Sequence, residues 1–144
     1  PIYAWEAEFA SLGWQVLHNS GIAVADKGIY IAGLPDISMF ATNIKQAIRN
    51  AGAEQYRILL SHEPATVFNV TDNAVDLEVA GHTHGGQIFP FNVLTKFGNK
   101  GLVSGEYNIN SVKLLITKGV GYWGPPMRLG ASSDVMLIEL KPLN

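Results

Sequence analysis

Val79-Ala80-Gly81-His82-Thr83-His84-Gly85-Gly86-Gln87 holds two of the chain's four histidines one residue apart, at the exit of an apolar run and beside two glycines. In an extended backbone, side chains at i and i+2 point to the same side about 6–7 Å apart, so His82 and His84 are expected to enter one cleft together. Neutral imidazole is a ready ligand for zinc, iron and other first-row metals, and glycine lets a bulky anion approach the backbone closely. By itself an HxH pair fits two surface-loop histidines equally well. The surrounding sequence has to decide.

A third histidine lies upstream in a matching setting. Residues 56–60, Tyr-Arg-Ile-Leu-Leu, read as a short buried strand, and Ser61-His62-Glu63-Pro64 follows, with Pro64 suited to open a helix. Residues 76–80 form the corresponding strand before His82. Ligands of α/β sheets gather outside the carboxyl ends of strands, which makes His62, His82 and His84 the candidate metal ligands. The plainer alternative for His62 is a turn histidine satisfied by local hydrogen bonds. His18, in the polar turn Val16-Leu17-His18-Asn19-Ser20-Gly21, is read as structural.

The order strand, Ser61-His62-Glu63-Pro64, helix, strand, Gly81-His82-Thr83-His84-Gly85-Gly86-Gln87 resembles the second half of the calcineurin-like metallophosphoesterases. Within that superfamily, Gly85-Gly86-Gln87-Ile88 and the later Thr117-Lys118-Gly119-Val120-Gly121-Tyr122-Trp123-Gly124-Pro125-Pro126-Met127-Arg128-Leu129-Gly130 are similar to a bacterial branch of small phosphodiesterases, some of them membrane-associated. The resemblance spans nearly the whole chain. It implies an α/β fold, the C-terminal half of a four-layer αββα sandwich, and hydrolysis of a phosphoester partner with two divalent cations of the Mn, Fe or Zn type. It further implies that His62 and His82 bind one metal of the pair and His84 the other, and that the full-length protein is cytoplasmic or membrane-associated.

The family's pattern begins with Asp-x-His, continues with a Gly-Asp whose carboxylate bridges the metals, and then has an Asn-His segment, none of which occurs here. Residues 1–144 are therefore expected to be one partial domain that opens about where the family's Asn-His segment ends. It would supply three ligands but no catalytic residue and no bridging carboxylate, and would be inactive alone. Glu63 and Asp76 are the nearest acids in sequence, although Glu63 beside Pro64 suits a helix-start charge. Two other readings stay open: a degenerate or metal-binding module without catalysis, and a mononuclear three-imidazole hydrolase with water in the fourth place.

Composition excludes several classes. Ten Lys and Arg against 12 Asp and Glu give a formal charge of −2, which offers no basic footprint for nucleic acid as a stoichiometric partner. The absence of cysteine removes disulfides and thiolate metal sites. No apolar run approaches the ~18 residues of a membrane span.

The remaining pattern alternates helices and strands. Residues 1–12, with Trp5, Phe9 and Leu12 at helical spacing and Gly13 beyond, read as an amphipathic helix whose aromatic side packs in the core. Residues 14–17, 22–26 and 28–32 read as short strands, the last two a hairpin about Asp26-Lys27-Gly28. A second helix is expected after Pro35, capped by Asp36 or Ser38, with Phe40, Ile44, Ala47, Ile48 and Ala51 on its core face and Gly52 past its end. Pro90 confines residues 87–91 to a strand edge or loop, and residues 91–105 read as a surface excursion. Phe89, Phe91, Phe97 and Leu94 make an apolar patch there, fit for substrate acyl chains, a membrane surface or a neighbouring strand. Residues 112–117 and 134–140 read as strands, the second buried on both faces. Between them the glycine- and proline-rich residues 119–130 carry Arg128, either a phosphate ligand or the brace of a rigid connector. Together with Gly85 and Gly86, Arg128 completes the candidate substrate-binding set.

Overall fold

The computed structural model describes residues 2–142. One mixed sheet of six strands organises them: β1 (Ser20–Val24), β2 (Ile29–Gly33), β3 (Tyr56–Leu60), β4 (Leu77–Ala80), β5 (Gly105–Ile109) and β6 (Val112–Ile116). Their spatial order is β1-β2-β3-β4-β6-β5. The four central strands β2, β3, β4 and β6 run parallel, while β1 and β5 close the edges antiparallel through hairpins. The hairpin turns are built from residues that tolerate the left-handed region, Asp26 and Gly28 in the first and Asn110 in the second. This is the α/β class that one half of a sandwich implies.

The core lies on one face. Tyr30, Ala32, Leu59, Val67, Val75, Leu114 and Ile116 are buried there, and α2 (Ile44–Ala47) adds Ala47, whose carbonyl accepts a hydrogen bond from the Tyr30 hydroxyl at 3.3 Å. On the other face Ile31, Ile58, Val79 and Leu115 are only partly covered and Leu60 is exposed.

Several elements differ from the sequence expectations. The second helix is reduced to α2, because Asn43 caps it by accepting from the Gln46 amide at 3.0 Å. Thr42 and Asn43 compete with helical backbone bonding, so the turn wins upstream of the cap. Asp36 instead accepts from the Ser38 amide and hydroxyl in a local turn. Residues 14–17 pair with no strand, and Gly33 backs onto Leu17. The expected excursion contains a helix, α3 (Phe91–Gly98), and ends in β5. Residues 134–140 form no strand, and Val135 and Leu137 are almost fully exposed, since no described strand lies beside them to complete a ladder.

α1 (Ile2–Ser11) forms where helical spacing predicts, but its aromatic side is not core. Trp5 and Leu12 are about two-thirds exposed, and Trp5, Phe9 and Trp14 stack on one another at 6.0 and 5.7 Å between ring centroids. The helix leans on the sheet through Tyr3 against Phe40, and through Glu6 3.6 Å from His18, whose ring meets Phe40 at 4.6 Å. His18 is thus in contact with both α1 and Phe40. Trp5→Ala is accordingly expected to cost under about 1 kcal/mol in urea unfolding of this chain, against roughly 3–5 kcal/mol for the buried Tyr30→Ala. Equal losses would contradict the exposed placement of α1.

Candidate functional site

Parallel pairing brings the carboxyl ends of β2, β3, β4 and β6 to one edge of the sheet, and the segments leaving them lie side by side. Asp36 comes from the segment after β2, His62 after β3, His82 and His84 after β4, and Thr117 and Lys118 after β6. Backbone bonds tie neighbouring turns together, from the Gly81 amide to the His62 carbonyl at 3.2 Å and from the Thr117 amide to the Ala80 carbonyl at 2.9 Å. A cavity of about 820 Å³ opens at this edge, with Asp36, His62, His82 and His84 in its lining.

His62 and His82 meet directly. His62 Nε2 and His82 Nδ1 are 3.0 Å apart with the rings steeply inclined at 72°, and Asp36 Oδ2 lies 3.7 Å from the same His62 nitrogen. In this structure the 3.0 Å contact is a hydrogen bond between the two rings, one nitrogen donating and the other accepting according to tautomer. The hydrogen bonds from Ser38 hold the Asp36 carboxyl below its usual range, with a lesser contribution from His62, so it is an anion beside that pair. Among the described residues no three His, Cys, Asp or Glu side chains are placed to hold a metal ion together.

His84 stands apart. The extended-backbone argument for its alignment with His82 does not hold: His82, His84 and Gln87 have φ of 67°, 50° and 47°, and a short 3-10 turn runs His84–Gly86. Left-handed backbone at non-glycine residues is strained, and it concentrates at functional sites. All three imidazoles line the cavity, but His84 Nδ1 faces Arg128 Nη2 at 3.4 Å. Burial lowers the His84 pKa, and the Arg128 cation lowers it further. A neutral ring that accepts from Arg128 at Nδ1 carries its proton on Nε2.

Arg128 spends its donors on backbone. Its guanidinium reaches the carbonyls of His84, Ala131, Lys118, Gly119 and Gly121 at 2.6–3.4 Å. Gln87 does the rest of the fastening: its side chain donates to the Trp123 and Pro125 carbonyls and accepts from the Trp123 amide at 2.6 Å. Residues 119–130 are thereby strapped over the His84 turn. Gly85 and Gly86 sit at φ of 64° and 80°, and a Cβ on Gly86 would overlap Asn92 of α3. Close packing alone therefore demands glycine at that position.

Two acidic residues of this region escaped the sequence reading. Asp36 carries a readable signal, since it follows β2 as His62 follows β3, but ahead of an expected helix the same residue reads as a cap. Glu78 sits mid-strand in β4, fully buried in a cross-strand row with Leu59 and Leu114, and only its register reveals that. Its Oε1 is 2.7 Å from Ser61 Oγ, which is 3.2 Å from the Glu63 carbonyl, and Oε2 has no partner. Burial pushes the Glu78 carboxyl up to about 7, against the opposing hydrogen bond from Ser61. When protonated it can donate to Ser61, freeing the serine proton for the Glu63 carbonyl and bracing the turn that carries His62.

The folded chain thus keeps a proton that the unfolded chain releases near its ordinary value of 4.5. Stability from this group is full below that pH, falls as pH rises toward 7, and levels off above it. Glu78→Gln is expected to remove this slope, changing the wild-type-minus-variant stability difference by about 3 kcal/mol between pH 4.5 and 8. A difference independent of pH in urea unfolding would contradict the buried neutral acid.

Proteins similar to this chain include an uncharacterized metallophosphoesterase of Campylobacter jejuni, 37% identical over 119 residues that cover 78% of this chain and 32% of that protein. Another, from Bacillus subtilis, is 32% identical over 92% of this chain and 48% of its own length. A zebrafish (Danio rerio) protein named as a transmembrane protein with a metallophosphoesterase domain is 28% identical over 97% of this chain and 35% of that protein. The chain spans about a third to a half of the length of these relatives. They come from animals as well as bacteria, so the likeness is not confined to the bacterial branch. No family model and no solved structure matches the chain. Among the described residues no helix is long and apolar enough to cross a membrane.

Proposed function

The chain belongs to the calcineurin-like metallophosphoesterase superfamily, and from that premise we propose that it forms the histidine-bearing part of a site that hydrolyses phosphoesters, adding water across a P–O bond to release an alcohol and a phosphate. The observation that carries this reading is the 3.0 Å approach of His62 Nε2 to His82 Nδ1 at the mouths of adjacent parallel strands. In the proposal these two nitrogens hold one divalent cation of the Mn, Fe or Zn type, whose affinity for imidazole is shared across that series. Asp36, an anion beside the pair, offsets part of its charge.

His84 is assigned to the second cation of the pair. For its Nε2 to become a ligand, the ring must carry its proton on Nδ1, so the contact with Arg128 has to open. Arg128 itself acts by strapping residues 119–130, and Gly86 lines the cavity, while packing of Gly85 against Lys118 and of Gly86 against Asn92 accounts for the glycines. Among the described residues Asp36 is the carboxylate beside the pair, and with the three histidines it does not complete two coordination shells. Bound divalent cations polarise the phosphoryl oxygens and offset the charge that grows in an in-line displacement. The neutral state that burial favours in His84 keeps that ring competent to ligate.

The proposal is tested with the intact polypeptide, stripped of metal and reloaded with manganese, on bis(p-nitrophenyl) phosphate. His62→Ala and His82→Ala are each expected to lower kcat/KM at least a hundredfold while leaving urea unfolding nearly unchanged. Hydrolysis at near wild-type rates in either variant would reject the assignment.

A further inference from the structure

The cavity that holds the histidines also has apolar lining. Ile88, Phe91, Leu94, Trp123 and Pro125 supply it, from α3, the segment before it and the strapped residues 119–130, beside the polar Gln87, Thr95 and Asn99. α3 has no buried residue at all, with Leu94 65% and Trp123 78% exposed, and Phe89 and Phe97 extend the apolar surface past the cavity mouth. Helices of globular domains normally turn such side chains inward. Here the helix is held in place without burying them: Gly86 packs against Asn92, and Leu102 and Thr83 secure the segment behind it, Thr83 by donating to the Val103 carbonyl. The facing wall is equally fixed, because Gln87 clamps the Trp123 backbone from both sides while the indole stays open.

Among the described residues no lysine or arginine lines this cavity, so these residues offer no cation to a second phosphate or to a nucleic-acid backbone. A cavity of about 820 Å³ whose lining combines Asp36 and three histidines with five apolar side chains, and with Thr95 and Asn99 as polar groups near them, suits a ligand with a polar head and an apolar tail. Accepting the phosphoesterase reading of the histidines, on which this inference rests, we propose that the substrate is an amphiphilic phosphoester. Its phosphate lies at His62 and His82, and its ester group is an extended aliphatic chain seated between α3 and Trp123. Burial of that chain supplies binding energy remote from the reacting phosphorus, and the free energy gained per methylene makes affinity rise with chain length.

The test uses the manganese-loaded intact polypeptide and three soluble probes, inorganic phosphate, butyl phosphate and octyl phosphate, each kept below its micelle concentration and titrated calorimetrically. Octyl phosphate is expected to bind at least tenfold tighter than butyl phosphate. Leu94→Asp and Trp123→Ala, both at exposed positions, are each expected to bring that ratio close to one. Equal affinities for the two esters would overturn the proposal, and so would a ratio that survives in both variants. Binding to phosphatidylcholine vesicles without any preference for soluble octyl phosphate would also overturn it, in favour of a membrane-docking surface. Kinetics on butyl and octyl p-nitrophenyl phosphodiesters separate this inference from the reading beneath it. Turnover of both with equal kcat/KM removes the apolar seat and leaves the phosphoesterase, whereas length-dependent binding without turnover of either leaves the seat and removes the phosphoesterase.

Discussion

Everything at the site hangs on the parallel pairing of β3 with β4. Leu60 opposite Val79 is the last register pair of that ladder, and the Gly81 amide extends it by one bond to the His62 carbonyl. Parallel strands must finish at the same edge, so a histidine shortly after each is carried to its neighbour, where the rings meet at 3.0 Å. A one-residue slip of register would turn the strand faces over and part the pair. The same geometry recruits Asp36 from β2 and the strap from β6.

Conformational strain is concentrated where the chemistry is proposed. Five of the six residues 82–87 have positive φ, and only two of those five are glycine. Such backbone persists only where its surroundings over-determine it. The surroundings here are Arg128 on the His84 carbonyl, Gln87 bonded to Trp123, and Thr83 fixed to Val103. Beneath the His62 turn, the buried Glu78 and Ser61 take the same part. Polar groups inside the fold therefore act as braces for the loops, while α3 and Trp123 leave apolar surface facing the cavity.

The sequence made the centre of the sheet readable and left its margins obscure, for physical reasons. Residues 56–60 and 76–80 are short apolar runs ended by turn chemistry, a pattern that few other structures satisfy, so β3, β4 and the position of His62 were legible. β5 was not, because Gly-Glu-Tyr-Asn-Ile at a sheet edge lacks the apolar content that marks a buried strand. Residues 134–140 and α1 failed in the opposite sense. Their apolar periodicity is genuine, but periodicity reports that a face seeks cover, not that the cover lies within these residues. At the site, HxH spacing drew both histidines into one cavity by way of left-handed backbone and not the extended strand assumed. Asp36 and Glu78 depend on topology and register, which one-dimensional spacing does not carry.

The central claim is that His62 and His82 grip one cation jointly. The most direct measurement is a crystal structure of the intact polypeptide grown with manganese, with anomalous scattering recorded at the manganese edge. The account predicts an anomalous peak bonded to both His62 Nε2 and His82 Nδ1. A peak bonded to only one of these rings, or to neither, would contradict it.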